Sequence, residues 1–411
     1  LALDNGLPEA EFIARINEQL TTPGTCAVGY NNLRFDDEFT RYTLFRNFFD
    51  PYAREWQNQN SRWDIIDLLR VTRALRPAGI NWPQHNDGRT SFKLEDLTQA
   101  NNIAHEAAHD ALSDVYATIA MAKLVKQHQP RLYQYIYQHR SKHRVLKLLD
   151  IQTMSPVIHI SGMYASEYGK MAVVVPLAVD PDNKNGIIVY DLRYDPETLL
   201  TLNAADIQRL TFTSNSDLEE GETRLPLKTI HINKCPVVVP LNTLSSAAKD
   251  TWQVDLNQCQ THLDKLKTDK TLTARVRQAF SHRFEQHDDD PDQSLYSGGF
   301  FSTADKQRMQ LIHSTPVNEL AELKLNFNDP RLNEMLFRYR CRNYPHTLSS
   351  QEQQRWDQFR IHRMTDAAGS ASIKLNEYNE QLLALEKTEL TLENKKLLES
   401  LKAYPEQIGL E

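Results

Sequence analysis

Apolar residues recur along this chain with two periods, and the change of period divides it. From Leu1 to about Gln129, short apolar runs alternate with helical spacing. Cys26–Tyr30 (CAVGY) is apolar throughout and predicts a buried strand. In Asp36–Phe49, the aromatic residues Phe39, Tyr42, Phe45 and Phe49 fall three or four apart and predict a helix. Ser61 is placed to cap a further helix with Ile65, Ile66, Leu68, Leu69 and Leu75 on its apolar face, stopping before Pro77. Lys93–Ala100 and Ala111–Gln127 are two more. The second is periodic through Leu112, Val115, Ile119, Ala122 and Leu124. Strands alternating with helices predict α/β layering.

Between about Ile151 and Pro240 the pattern turns to Val- and Ile-rich runs: Val157–Met163, Met171–Ala178, Gly186–Leu192 and Lys228–Pro240, with turn residues such as Asp182-Asn183 between them. These predict a small β-rich domain. After Leu244 the spacing is helical again. A polar, acidic stretch, Gln286–Asp292, reads as a linker. Beyond it, Ala304–His313, Pro330–Arg342, Ser350–Met364 and a long pattern from Ser372 to Tyr404 read as helices. The predicted domains are 1–129, 130–285 and 286–411. A length of 411 residues suits two or three cores better than one.

Composition adds exclusions. Hydrophobic content of 40% and charged content of 25% are those of a soluble globular protein. The longest apolar run, Met171–Val179, is half of the ~18 residues of a membrane span and contains Pro176, so no membrane partner is expected. Cys26, Cys235, Cys259 and Cys341 form no CxxC pair, which suits a reducing cytoplasm and argues against a zinc ribbon. The net charge of −7 disfavours nucleic acid taken alone, but binding depends on where the charge sits. From Val115 to Leu149 there is no Asp or Glu, while Lys123, Lys126, Arg131, Arg140, Lys142, Arg144 and Lys147 are interleaved with Tyr133, Tyr135 and Tyr137. A basic stripe with aromatics is what a single-strand groove uses, and a solvated helix with core tyrosines produces the same pattern.

Three constellations carry candidate chemistry. In Gly29–Glu38 (GYNNLRFDDE) a strand ends in two asparagines and an acidic run opens a helix. That is either a dipole-favoured helix start or a carboxylate placed to reach a metal ion. In His109–Asp114 (HDALSD), Asp114 lies in the first turn of the periodic helix and His109 just ahead of it; capping by Asp110 is the plain alternative. Across the same residues His105–His109 matches HExxH, the zinc-protease pattern. No third-ligand pattern follows it, and the asparagines before it start a helix poorly.

At these residues the chain resembles the bacterial exonuclease I family of DEDDh exonucleases. The segments GYNNLRFDDEFTR, NSRWDIIDLLR, ALRPAGINWP, AHDALSDVYATIAMAKLVK, HINKCP and YRCRNYPHTL carry the resemblance, which runs nearly end to end. It implies an α/β ribonuclease H-like exonuclease domain, then an SH3-like β domain, then a C-terminal α-helical domain, the last two clamping over the first. It implies a single-stranded-DNA-specific 3′→5′ exonuclease that releases 5′-mononucleotides and serves DNA repair and recombination. By resemblance, Asp36 and Asp114 are metal carboxylates and His109 is the general base. Two Mg²⁺ ions are implied, with Mn²⁺ able to substitute and zinc not expected to serve. The family's first motif, an Asp-x-Glu on an opening strand, has no match here. The expectation is that the numbering begins after it, and that the chain from Leu1 binds single strands yet cuts them poorly.

The resemblance also implies strand contacts at Arg41, Tyr52, Trp56, Arg70, Lys142, Asn185, Lys228 and Asn233. Lys93 stands where the family often has arginine, keeping the charge but losing bidentate geometry. The acidic C-terminal tail of single-stranded DNA-binding protein is a further implied partner. Arg76 and Tyr135 match its pocket, whereas Ser155, Pro240 and Ser245 depart from the expected basic or polar residues. A monomer is expected. A DNA-binding module without cleavage, and the zinc protease, are the alternatives.

Overall fold

The parallel pairing of two short strands sets the first layer. The computed structural model describes residues 5–105, 110–281, 290–366 and 369–410. Strand β1 (Cys26–Gly29) pairs with β2 (Ser61–Asp64) in parallel, from Cys26 opposite Ser61 to Gly29 opposite Asp64. Parallel neighbours need a crossover, and the helix Asp36–Arg46 lies within it. Ser61 therefore does not cap a helix, as its sequence context predicts; it opens β2. The helix Ile65–Leu75 is capped by Asp64, whose side chain accepts from the Ile66 N–H. Both residue types suit a cap, and the parallel pairing selects the later one. Strand β1 is also not buried: Val28 is exposed.

The chain divides into two compact units, residues 20–39 with 52–285, and residues 1–19 with 40–51 and 286–411. The first contains the β1–β2 pair and a five-stranded antiparallel sheet in the order β6-β5-β4-β3-β7. Its strands are β3 (Val157–Ile160), β4 (Met171–Val179), β5 (Gly186–Asp191), β6 (Leu227–His231) and β7 (Val237–Pro240). The predicted strand Lys228–Pro240 is thus two strands on opposite edges of the sheet, separated by the turn around Asn233. Pro176 lies at a register shift of the β4–β5 ladder, where its missing N–H is tolerated.

Alternation along these strands builds two cores. Ile158, Ile160, Met171, Val173, Val175 and Val239 face the helix Ile65–Leu75, sharing a core with Ile65, Leu68 and Leu69. Val157, Ala172, Val174, Ile187, Val189 and Val238 face the other way, against Val145 and Leu149. The helix Ala111–His128 also packs into the first core, but by only part of its predicted face, Ala122 and Leu124. Leu112, Val115 and Ile119 are 59, 52 and 44% exposed, while Ala117, Met121 and Val125 are buried. The tyrosines of the basic stripe are structural too. Trp63 meets the rings of Tyr133 and Tyr137 edge-on at 5.1 and 5.2 Å, and Arg140 lies 3.7 Å over Tyr137. They are not free rings on which bases could stack.

The other unit is helical: Glu9–Thr21, Thr303–Ser314, Arg331–Asn343, Ser350–Thr365, Leu375–Glu386 and Leu392–Gln407. The last two replace the single long pattern predicted from Ser372 to Tyr404. Of the predicted linker, 286–289 lie outside the described residues. Asp290 and Asp292 are anchored rather than loose, pairing with Arg338 at 2.5 and 3.3 Å, and Asp292 also with Arg342 at 2.8 Å.

Candidate active site

Asp36 owes its position to two buried acidic neighbours. Past β1, Asn31 adopts a left-handed backbone (φ 59°). Asp64, at the end of β2, accepts from the N–H groups of Asn31 and Leu33 at 2.8 and 3.3 Å, so it ties down the loop that delivers Asp36. Asp64 also accepts from Ile66 at 3.1 Å. Burial pushes its carboxyl up to about 7, with Asp67 adding to the rise against the three N–H donors. Asp37, next to Asp36, is buried and bridges Arg54 and Arg62 at 2.7 Å each. Glu55 completes the network through Arg62 at 2.9 Å. The Asp36–Arg46 helix is thus pinned at its first turn, and Asp36 itself is exposed.

Asp114 lies in the first turn of the Ala111–His128 helix, capped by Asp110, which accepts from the Ser113 N–H at 3.1 Å. Its carboxylate is held by His105, whose Nε2 is 2.7 Å from Asp114 Oδ1 and whose Nδ1 is 3.2 Å from Thr98 Oγ1. His105 acts here through Asp114, whereas the HExxH reading treats it as a metal ligand. It does not lie in a helix, and one ring nitrogen is taken by Asp114 and the other by Thr98. His109 lies outside the described residues. Among the described residues, no three His, Cys, Asp or Glu side chains gather as a metal site. The donors are still right in kind: Asp36 and Asp114 offer carboxylate oxygens to solvent, as a hard divalent ion requires.

Several of the expected strand contacts are paired. Lys142 Nζ donates to Asn185 Oδ1 at 2.6 Å, joining residues from a short helix and a β-turn. Arg70 pairs with Asp67 at 2.6 Å. Lys228 Nζ donates to Ser161 Oγ at 2.9 Å, and burial, followed by the charge of Arg34, lowers its pKa to about 8. The Asn233 carbonyl accepts from Arg62 at 3.0 Å. Trp56 and Lys93 are exposed, and Tyr52 is half-buried. Arg41 is buried and donates to the Tyr296 hydroxyl at 3.2 Å. Arg76 donates to the Leu75 carbonyl at 2.6 Å. Tyr135 stacks on His139; its hydroxyl is buried and has no hydrogen-bond partner among the described residues. Periodicity and motif spacing do not show the parts that His105, Asp64 and the Asp37–Arg54–Arg62 network play, because these depend on pairings that reach up to 33 positions along the chain.

A parallel strand pair with a helical crossover, and carboxylates at the starts of two helices, suit a metal-dependent enzyme of the α/β class. Comparison with known proteins makes this specific. Residues 2–122 match the exonuclease family model, 140–282 the exonuclease I SH3-like domain and 289–408 the exonuclease I C-terminal domain. The exodeoxyribonuclease I of Haemophilus influenzae is 44% identical over 366 residues, covering 89% of this chain and 77% of that protein. The Escherichia coli enzyme is 46% identical over 352 residues, covering 85% and 74%. The structure of exonuclease I from Methylocaldum szegediense superimposes with a TM-score of 0.93 at 49% identity, covering 99% and 86% of the two chains. That of the E. coli enzyme with a dA16 oligonucleotide gives 0.90 at 42%, covering 98% and 85%.

The chain belongs to the exonuclease I family. It is a nuclease and a hydrolase, built of a ribonuclease H-like exonuclease domain, an SH3-like domain and a helical C-terminal domain, and its exonuclease domain implies dependence on a divalent metal. The zinc-protease reading is overturned. Zinc itself is not foreign to the family: a zinc-bound form of the E. coli enzyme with single-stranded DNA is known. No helix among the described residues is long and apolar enough to cross a membrane.

Proposed function

We propose that this chain shortens single-stranded DNA from its 3′ end, releasing 5′-mononucleotides, with Asp36 and Asp114 holding divalent metal and His109 as general base. The observation that supports it best is the Thr98–His105–Asp114 chain: a solvent-facing carboxylate is held in one orientation at a helix start, as a metal ligand needs. Mg²⁺ is the proposed ion because both donors are carboxylates, and Mn²⁺ serves in its place. When bound, the ions neutralise the phosphate and acidify a water. His109 takes the proton of the attacking water as its oxygen bonds to phosphorus, the bond from phosphorus to the 3′-oxygen of the shortened strand breaks, and that oxygen takes up a proton.

Arg70, Lys142, Asn185, Lys228 and Asn233, with Tyr52, Trp56, Lys93 and Arg41, guide the strand. A monomer working in the cytoplasm is the proposed state. The acidic tail of single-stranded DNA-binding protein is the proposed partner at Arg76 and Tyr135, where the buried Tyr135 hydroxyl retains a hydrogen-bonding capacity. The deciding experiment digests a 5′-labelled and a 3′-labelled oligonucleotide in parallel. Labelled mononucleotide should come first from the 3′ label, even if slowly, and a shrinking ladder from the 5′ label. Mononucleotide released first from the 5′ label would reject the polarity, and digestion unaffected by EDTA would reject the metal role.

A further inference from the structure

Gly162, in the turn after β3, sits among positive charges from four separated stretches of the chain. Lys170 Nζ donates to the Gly162 carbonyl at 3.2 Å, and Lys228 Nζ donates to the neighbouring Ser161 Oγ at 2.9 Å. A methyl group on Gly162 would stand 3.0 Å from the Arg70 guanidinium carbon and 3.2 Å from an Arg34 guanidinium nitrogen. Both distances run to one point, so the two guanidinium groups lie within about 6 Å of each other. Four cations thus surround one turn, where Asp67 pairs with Arg70 at 2.6 Å. The charges sense one another: burial and then Arg70 and Arg89 lower the pKa of Lys170, as burial and then Arg34 lower that of Lys228.

Like charges brought this close repel, and an anion bound among them relieves the repulsion. Arg34 is exposed and Lys170 half-buried, so the cluster is open to a ligand. The donors suit a phosphodiester: two planar guanidinium forks, two ammonium groups, and a hydroxyl. Ser161 Oγ already accepts from Lys228 Nζ and from the Met163 N–H at 3.4 Å, which leaves its own proton to donate. Gly162 has no side chain to keep a strand away from the backbone, and Met163, 81% exposed on the same turn, offers a soft apolar surface to a base.

We propose that Arg34 and Lys170 join Arg70 and Lys228 in a subsite around Gly162 that holds one internucleotide phosphate of the bound single strand. This rests on the reading that the chain binds single-stranded DNA through Arg70 and Lys228. It adds two residues and a defined ligand group to that reading.

The test measures binding of a fluorescent oligo-dT in EDTA, so that nothing is cut, with one linkage at a time replaced by an uncharged methylphosphonate. In the wild type, one linkage should stand out, its neutralisation weakening binding roughly tenfold. The R34Q/K170Q protein should bind the unmodified strand roughly tenfold more weakly and lose nothing further at that linkage. Its plot of log affinity against log salt should be shallower by about 0.7, the value for one phosphate of a single strand. Circular dichroism checks the fold, and R34Q alone, at an exposed position, should show part of each effect. The subsite is overturned if the double variant keeps the wild-type pattern of losses, or if its salt slope is unchanged. A wild type that binds no oligo-dT even at low salt would instead overturn the parent reading.

Discussion

His105 and Asp64 show how single residues set this site without carrying its chemistry. His105 fixes the rotamer of Asp114, so His105→Ala should raise the metal concentration for half-maximal hydrolysis and cut activity roughly 10- to 100-fold. His105→Gln, which can still donate to the carboxylate, should recover part of both. A merely structural role would lower the melting temperature and leave the metal titration unchanged. Asp64 acts through pH. Its folded pKa of about 7 lies above the unfolded carboxyl value, so the native state holds this proton more tightly than the unfolded chain does. That contribution is full below about pH 4 and is lost as the pH rises through 7, on the order of a few kcal/mol for a carboxyl this buried. Asp64→Asn keeps a cap acceptor and removes the titration. The melting temperature of the variant relative to wild type should therefore be higher at pH 8 than at pH 5, and a difference independent of pH would refute the account.

At the scale of elements, the Asp36–Arg46 helix is joined to β2 and the short helix Ala53–Trp56 by the buried network of Asp37, Arg54, Glu55 and Arg62. Asp37→Ala would take the close carboxylate partner from the buried Arg54 and one of two from Arg62, and should cost about 3–5 kcal/mol, measured as a lower urea midpoint. The existence and kind of most elements follow from spacing. The face each one buries does not. The Ala111–His128 helix has two apolar stripes, and the stripe of smaller residues, Ala117 and Thr118 with Met121 and Val125, is the one packed inside. Hydrophobicity ranks Leu112, Val115 and Ile119 higher, but it cannot say which stripe meets a neighbour. Ser61 is a similar case: a good cap by type becomes the first residue of a strand because Cys26 lies opposite it.

For the molecule as a whole, binding should follow the state of a few buried cations rather than the net charge of −7. Lys228 has a folded pKa of about 8, below the ordinary lysine value because of burial and Arg34. It loses its proton between about pH 7 and 9, so affinity for oligo-dT should fall over that range. Lys228→Arg, which stays charged, should flatten the fall. An unchanged profile in that variant would assign the pH dependence elsewhere. The shared core of the helix Ile65–Leu75 and the five-stranded sheet makes this possible: it brings Arg70 and Lys228 to one turn although 158 positions separate them.

The sequence by itself determined the order of α/β, β and α regions, the family, and the acidic residues at two element starts. These are properties of consecutive residues, and periodicity and motif spacing record them directly. Tertiary structure decided that the tyrosines after Ala111–His128 pack against the core, that His105 holds Asp114, and that Arg34, Arg70, Lys170 and Lys228 converge on Gly162. Each depends on pairings between distant segments, which are set by which faces pack together.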